Sequence, residues 1–381
     1  MIRIAHFLRD DNKFIPDSIW CFDNSGIANN KYYCVSKSRK GLYRLHNEKV
    51  LCVSESDAKK LILEKGLFDV ICLHSLYALP LPIIPQINKD VKLVWFSWGY
   101  DIYMNPEPFT PLLDSVDIYK PETTRLLSEI PRERVSIKSF IRNGINKFSY
   151  LKYQKSLLYD CIERVDFFAG VFPIEYDMLK QRYSNFHAQK ISHNYIHPDE
   201  FQNKDIDTPT SITGCNIQLG HSACLEDNHI DVMKDIVDCV DNTANIFCPL
   251  SYGGSKYYIN EVINKGKYYF GNRFKALTDF LPLEEYTRIQ NSCNKFVLGS
   301  IRQQATCNCL TAMWNGLQLY LYKDSINSKQ YTEFGLKFSN IDEGINEIEP
   351  NINIAHNRKI IESIYSYRAW VNDLKEFINK L

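Results

Sequence analysis

KFVLGSIRQQATCNCLTAMWNGLQLYLYK, residues 295–323, decides the fold. Phe296-Val297-Leu298 is a short apolar run of the kind a buried parallel strand needs, and Gly299-Ser300 ends it. Over residues 303–317, Leu310, Met313, Trp314 and Leu317 fall at helical spacing. Gly316 stands where a helix closes on a glycine. Leu317, Leu319 and Leu321 then begin a second strand, with Tyr320 and Tyr322 between them. The stretch is one βαβ unit. Its strand-to-helix turn, Ser300-Ile301-Arg302-Gln303-Gln304-Ala305-Thr306, joins free backbone N–H groups, a helix dipole and an arginine, which makes an anion site. The same residues also suit an ordinary crossover with a solvated arginine.

Working outward, the chain has 381 residues, more than one core usually holds, so two domains are expected. Its 45 Lys and Arg balance 45 Asp and Glu, which argues against a general nucleic-acid binder. No apolar run approaches the roughly 18 residues of a spanning helix. The N-terminus shows no signal-peptide pattern, so a cytoplasmic protein is expected. The 12 cysteines form no C-x-x-C pair and read as small buried hydrophobes rather than metal ligands. The 24 Tyr and 21 Phe suit apolar-ligand or membrane contact, and equally thick cores.

The first half alternates. Strands are expected at 1–7, 32–35, 50–53, 69–74, 92–97, 166–172 and 190–195, with helices at 57–66 and 177–182 and an irregular then helical 76–87. His6 and His74 fall at strand ends, where a histidine is either functional or simply satisfied in the core. The strand at 92–97 runs into Ser97-Trp98-Gly99-Tyr100-Asp101. Asp101 suits a catalytic base or an acceptor for a substrate hydroxyl, and equally a cap on the following turn. Residues 131–158 carry Arg132, Arg134, Lys138, Arg142, Lys147, Lys152 and Lys155 against Glu133, interleaved with aromatic and aliphatic residues. That pattern suits an anionic membrane surface, a solvated helix face or an acidic-substrate groove.

Residues 1–200 make one expected domain, 201–213 a linker, and 214–355 a second domain. That domain has strands at 214–219, 245–250 and 267–270, helices at 230–240, 257–265 and 283–293, and then the central βαβ unit. The tail, 356–381, is helical in pattern and expected to pack back on the first domain. No G-x-G-x-x-G or Walker A run occurs, which disfavours dinucleotide and P-loop enzymes. Two Rossmann-like, doubly wound α/β domains facing a cleft point to the GT-B glycosyltransferase fold.

Four segments carry a more specific likeness: Trp95-Phe96-Ser97-Trp98-Gly99-Tyr100-Asp101-Ile102-Tyr103; Gly220-His221-Ser222 with Asn228-His229; Pro249-Leu250-Ser251-Tyr252-Gly253 followed by Tyr258-Ile259-Asn260-Glu261-Val262; and Arg302-Gln303-Gln304. In order and rough spacing they resemble the lipid-linked N-acetylfucosamine (4-acetamido-4,6-dideoxygalactose) transferase family of enterobacterial common antigen synthesis. The resemblance implies a metal-independent GT-B enzyme without a cofactor, peripheral to the cytoplasmic face of the inner membrane. It would move a deoxy-amino sugar from a dTDP donor to an undecaprenyl-diphosphate-linked saccharide. It places the nucleotide on the second domain, with Gly220, Ser222, Arg302, Gln303, Gln304 and Thr306 at the diphosphate. Tyr252 is assigned to the base or diphosphate, and residues 281–286 to the nucleotide. The acceptor side falls to Trp98, Gly99, Tyr100 and His74. Asp101 takes the acceptor proton if the reaction inverts, and positions the acceptor if it retains.

The family loop reads G-N-S where this chain has Gly220-His221-Ser222, so His221 either donates to a phosphate or fills space. Ala305-Thr306-Cys307-Asn308 lacks the family's glycines. These departures leave another dTDP- or UDP-sugar, and an O-antigen product, open. A sugar-nucleotide epimerase of the same shape and a non-catalytic glycan- or lipid-binding protein are the rival readings.

Overall fold

The computed structural model describes residues 1–11, 14–26, 28–36, 44–103, 111–129, 147–193, 212, 214–345 and 353–381, without the side chains of 147–154 and 283. Among these residues every strand pairing is parallel. Parallel neighbours cannot be joined by a hairpin, so a crossover, usually a helix, must link them.

The first of two units comprises Met1–Ser115, Ser136–Gln202 and Ile364–Leu381. Its strands are β1 (Ile2–Leu8), β2 (Ala28–Val35), β3 (Val50–Val53), β4 (Val70–His74), β5 (Lys92–Phe96), β6 (Phe167–Ala169) and β7 (Gln189–Lys190), in the order β3-β2-β1-β4-β5-β6-β7. β4 is wholly buried and β5 nearly so, as strands covered on both faces must be. The described helices are α1 (Ile15–Asn24), α2 (Glu55–Leu63), the short α3 (Tyr100–Tyr103), α4 (Pro121–Glu129), α5 (Lys147–Arg164) and α6 (Pro173–Arg182). Of these, α4 belongs to the second unit, within Val116–Val135.

The second unit holds β8 (Asn216–Leu219), α7 (His229–Ile236), β9 (Ile246–Pro249), α8 (Lys256–Phe270), β10 (Phe274–Leu277), α9 (Leu283–Asn291), β11 (Cys293–Leu298), α10 (Thr306–Asn315), β12 (Gln318–Leu321), α11 (Ile326–Phe334), β13 (Ser339–Asn340) and most of α12 (Ile354–Tyr365). Its sheet order is β10-β9-β8-β11-β12-β13. The expected βαβ unit is present as β11-α10-β12, with Phe296 beside Leu319 and Leu298 beside Leu321. Gly316 adopts φ 96°, Leu317 N–H donates to Ala312 O at 2.9 Å and Gly316 N–H to Met313 O at 3.2 Å. These are the paired bonds of a Schellman close. Both sheets are doubly wound, and each reverses its strand order once, between β1 and β4 and between β8 and β11. Ligands of such sheets bind beyond the strand ends at that reversal.

A final helix, α13 (Tyr367–Asn379), starts at Ser366, whose side chain accepts from Ala369 N–H. Its Trp370, Leu374, Phe377 and Ile378 enter the first unit's core with Ile4, Val94 and Phe96.

Several sequence expectations need correction. Residues 267–270 are the last turns of α8, not a strand, and the next strand is β10. Of the strand expected at 190–195, Lys190 ends β7 and 191–193 form none, with 194 and 195 outside the described residues, and 76–87 forms two 3-10 turns. Residues 116–129 join the second unit, so the first domain is not one continuous stretch. Residues 131–146, with Arg132, Arg134, Lys138 and Arg142, and residues 201–211 of the linker lie outside the described residues. Lys147 and Lys152 fall on α5 where side chains are not described, whereas Lys155 is exposed. No helix among the described residues is long and apolar enough to cross a membrane.

Candidate nucleotide and acceptor sites

The second unit's reversal brings the loops after β8 and β11 side by side, and two glycines let them touch. Gly220 sits at φ +69°, and a Cβ there would lie 2.6 Å from His229 Nε2. At Gly299 a Cβ would collide with the Asp227 carbonyl and Val232. The loops close around Asp227, which is fully buried. Its carboxylate accepts from His221 N–H at 3.0 Å, from Ser222 N–H at 3.3 Å and from Ser300 Oγ at 2.9 Å. His221 Nδ1 lies 3.0 Å from Oδ1. Burial alone would raise this carboxyl, but His221, His229 and the donors around it hold it well below the usual range. Asp227 thus orients the His221 ring through Nδ1. His221 Nε2 is left facing Ser222 Oγ and Gln304 Nε2, each at 3.4 Å. The ring orders this loop through Asp227, while Nε2 stays open to either a donor or an acceptor role.

Asn327 grips Gln304 at both ends of its backbone, accepting from Gln304 N–H at 3.2 Å and donating to Gln304 O at 2.8 Å. Ala305 is left-handed at φ 54° and has no side chain with which to cap α10. Gln303 Nε2 donates to Thr306 Oγ1 at 2.8 Å. Arg302 is 9% exposed. Its Nη1 donates to Gln303 O at 2.8 Å, its Nε meets no acceptor, and Nη2 stands 3.9 Å from Glu226 Oε1. A planar guanidinium with donors to spare, beside an uncapped helix start, can take a phosphate through two N–H bonds.

Tyr252 is half exposed in the loop after β9, and its carbonyl accepts from Ala223 N–H at 2.7 Å, so it flanks the 220–224 loop. Tyr286, in the expected nucleotide-contact segment, accepts from Gln218 Nε2 at 3.1 Å. The structure therefore gathers Gly220, His221, Ser222, Tyr252 and Gln304, with Arg302, Gln303 and Thr306 at the adjoining turn.

Sequence reasoning missed several residues. Asp227 lies inside the quoted loop but matches no motif position. Glu226 and Asn327 carry no pattern at all. Residues 116–129 were invisible as part of this unit, because only tertiary bonds tie them in. Asn228 Nδ2 donates to Ile118 O and Gly299 O at 3.2 and 2.9 Å. Asn228 Oδ1 accepts from Lys120 N–H at 2.9 Å, and Asp231 accepts from Glu122 and Thr123 N–H at 2.8 and 3.0 Å.

In the first unit, Asp101 is fully buried. Its carboxylate accepts from Leu76 N–H at 2.9 Å, Trp95 Nε1 at 2.8 Å, Trp98 N–H at 2.9 Å and Ser97 Oγ at 3.2 Å. Burial raises its pKa while these bonds hold it down, with a net upward shift. Of the two open readings, this geometry matches the turn-holding one, because a base would have to abandon donors already engaged. Gly99 turns at φ +71°. Tyr100 Oη donates to Ser75 Oγ at 2.6 Å, and its ring lies 5.7 Å from the Arg9 guanidinium. Ser75, after β4, is held at φ 93°, which is strained for a residue with a Cβ. Trp98 packs edge-on to Phe14 at 5.9 Å.

The acceptor-side assignment of His74 needs correction. His74 is fully buried, with Nε2 3.1 Å from His6 Nδ1 and Phe22, Phe96 and His193 around it. His6 on β1 is equally buried and lies 3.1 Å from Asn30 Oδ1. Parallel pairing of β1 with β4 sets His6 beside Cys72, so both histidines point to the same covered face. Burial keeps them neutral, with His6 lowered to about 4 and His74 well below its ordinary value.

Comparison with protein-family profiles finds no match, and neither does comparison with curated sequences. Solved structures do match in fold. HepE of Anabaena, in complex with UDP and glucose, has TM-score 0.59 and 13% identity, over 100% of both chains. The lipopolysaccharide outer core galactosyltransferase WaaB has TM-score 0.60 and 10% identity, again over 100% of both. Sucrose-phosphate synthase from Thermosynechococcus elongatus has TM-score 0.59 and 8% identity, over 100% of this chain and 99% of its own. The chain thus has the two-Rossmann architecture of GT-B glycosyltransferases.

Proposed function

We propose that this protein is a glycosyltransferase that takes a sugar from a dTDP- or UDP-linked donor. Arg302 carries the reading: a buried guanidinium with most of its N–H groups unspent, at the carboxyl end of β11 where the strand order reverses. The departing group of such a reaction is a nucleoside diphosphate, and its growing negative charge must be met by fixed donors. Arg302, the start of α10 and the hydroxyl of Ser222 supply them. Likeness in fold to HepE, solved with UDP, and to the galactosyltransferase WaaB supports the same class.

The finer reading is a deoxy-amino sugar moved to an undecaprenyl-diphosphate-linked saccharide of common antigen or O-antigen synthesis, by a metal-independent enzyme at the cytoplasmic face of the inner membrane. Its support is the four-segment sequence resemblance, together with the exposed Lys155 on α5. On this reading Tyr100, Gly99 and Trp98 form the acceptor side, and Asp101 is a positioning residue that holds their turn.

Calorimetry with dTDP, UDP, GDP and NADH tests the class. Binding of dTDP or UDP is expected, and binding of NADH alone overturns the reading. Arg302→Ala is expected to weaken nucleotide binding by about 1.5–3 kcal/mol, the range for a hydrogen bond to a charged group. Unchanged affinity removes Arg302 from the site.

A further inference from the structure

Glu226 follows β8 in the loop that closes on Asp227. Its side chain is 6% exposed, yet its nearest cation, Arg302 Nη2, stands 3.9 Å from Oε1, beyond hydrogen-bond reach. The residue is held by its backbone, since Asn228 Nδ2 donates to Glu226 O at 3.0 Å. Asn228 also ties down Gly299 and Ile118, which fixes the backbone of this loop. Among the described residues no donor reaches the Glu226 carboxylate, whose oxygens keep some contact with solvent, and a buried guanidinium Nε left unpartnered is costly. Here two opposite charges form a loose 3.9 Å ion pair, each with hydrogen-bonding capacity to spare.

A ligand lying beside the pair can engage both, and its chemistry is constrained on each side. Arg302 calls for an anion. Glu226, an acceptor only when ionised, calls for an O–H or N–H donor and repels a phosphate. One molecule offers both within a few ångströms: a phosphoryl group joined to a hydroxyl- or acylamino-bearing ring. Tyr119, next to the Lys120 backbone that Asn228 anchors, lies near enough to feel the charges of both Glu226 and Arg302.

Building on the nucleotide-sugar reading above, we propose that Glu226 is the specificity residue of the second unit. It accepts a hydrogen bond from a hydroxyl or amide N–H of the donor sugar while Arg302 holds the adjoining phosphate. The unit would then distinguish a nucleotide sugar from the bare nucleoside diphosphate, and favour sugars with a donor group at that position.

The test is calorimetry of wild type, Glu226→Gln and Glu226→Asp against UDP, dTDP, UDP-glucose, UDP-N-acetylglucosamine and dTDP-glucose, with thermal midpoints to check folding. For wild type, at least one nucleotide sugar is expected to bind tighter than its own diphosphate. In Glu226→Gln that advantage is expected to fall at least tenfold, while the diphosphate binds as well or several-fold tighter, because a like charge has gone. Glu226→Asp, which keeps the charge on a shorter stem, should recover part of the advantage. If Glu226→Gln weakens diphosphate and sugar equally, Glu226 merely seats Arg302 or reads the ribose, and the proposal is overturned. If no wild-type sugar outbinds its diphosphate, the proposal is likewise overturned, although the nucleotide reading survives. If wild type binds no nucleotide, both fall.

Discussion

Asp101 shows how much a single carboxylate can organise. Its four donors come from the end of β4, from β5 itself and from the turn after it. Removing its charge therefore acts on three segments together. In Asp101→Asn, the amide NH2 must face either Leu76 N–H and Trp95 Nε1 or Trp98 N–H and the Ser97 hydroxyl, leaving at least one buried N–H without an acceptor. A loss of about 3 kcal/mol is expected from this mechanism, read as a lower thermal midpoint. Any loss of turnover should track the disordered turn rather than a missing base. Wild-type stability with abolished turnover would restore the catalytic-base reading. The sequence showed the carboxylate at a strand end and left base and cap both open. The choice depended on where Trp95 Nε1 and the Leu76 N–H point, which no linear spacing encodes. His74 failed for a related reason. A strand-end position says nothing about which face a helix covers, and α13, from the far end of the chain, helps to cover that one.

At the scale of elements, what was local was legible. The β11-α10-β12 unit followed from an apolar run, a helical period and one glycine, all within the stretch first read. The Lys267-Tyr268-Tyr269-Phe270 run did not, because a short aromatic run suits strand and helix alike. The arbiter is tertiary: Gly266 brings α8 so close to β10 that a Cβ would lie 2.5 Å from the Phe274 ring. The attachment of α4 was invisible for the same reason. Its start is capped from α7 by Asp231, which accepts from Glu122 N–H, Thr123 N–H and Thr123 Oγ1. Asp231→Ala is expected to cost about 1–2 kcal/mol, as lost N-caps do. It should also free residues 116–129 for cleavage by trypsin after Arg125, seen as a new pair of fragments on limited digestion. Resistance equal to wild type would mean that Asn228 alone suffices to hold the segment.

Across the whole molecule, buried histidines set the response to acid. His6 and His229 are lowered to about 4 and His193 to about 3, mainly by burial, and His74 is lowered well below its ordinary value. Unfolding returns each to an ordinary value near 6.5. Between about pH 6.5 and 4 the unfolded chain therefore binds protons that the folded chain refuses, and stability must fall as pH falls. Glu175, Asp373 and Asp101 oppose this, because burial raises the first two to about 7 and about 6 and the third above its ordinary value. The folded state takes up their protons first, which favours folding as pH drops toward their unfolded values. Four histidines outweigh three carboxyls, and that offset fades below about pH 4.5 as unfolded carboxyls begin to protonate. Stability is thus expected to decline gently from pH 7 to 5 and more steeply below, each uncompensated proton contributing up to about 1.4 kcal/mol per pH unit. Denaturant midpoints measured from pH 7.5 to 4 check the curve. His193→Leu, placed among Phe22, Phe96 and Trp370, should flatten it by about one proton whatever it does to absolute stability. An unchanged slope in that variant would show that His193 already takes up its proton in the folded state, and that its burial is not what governs the acid response.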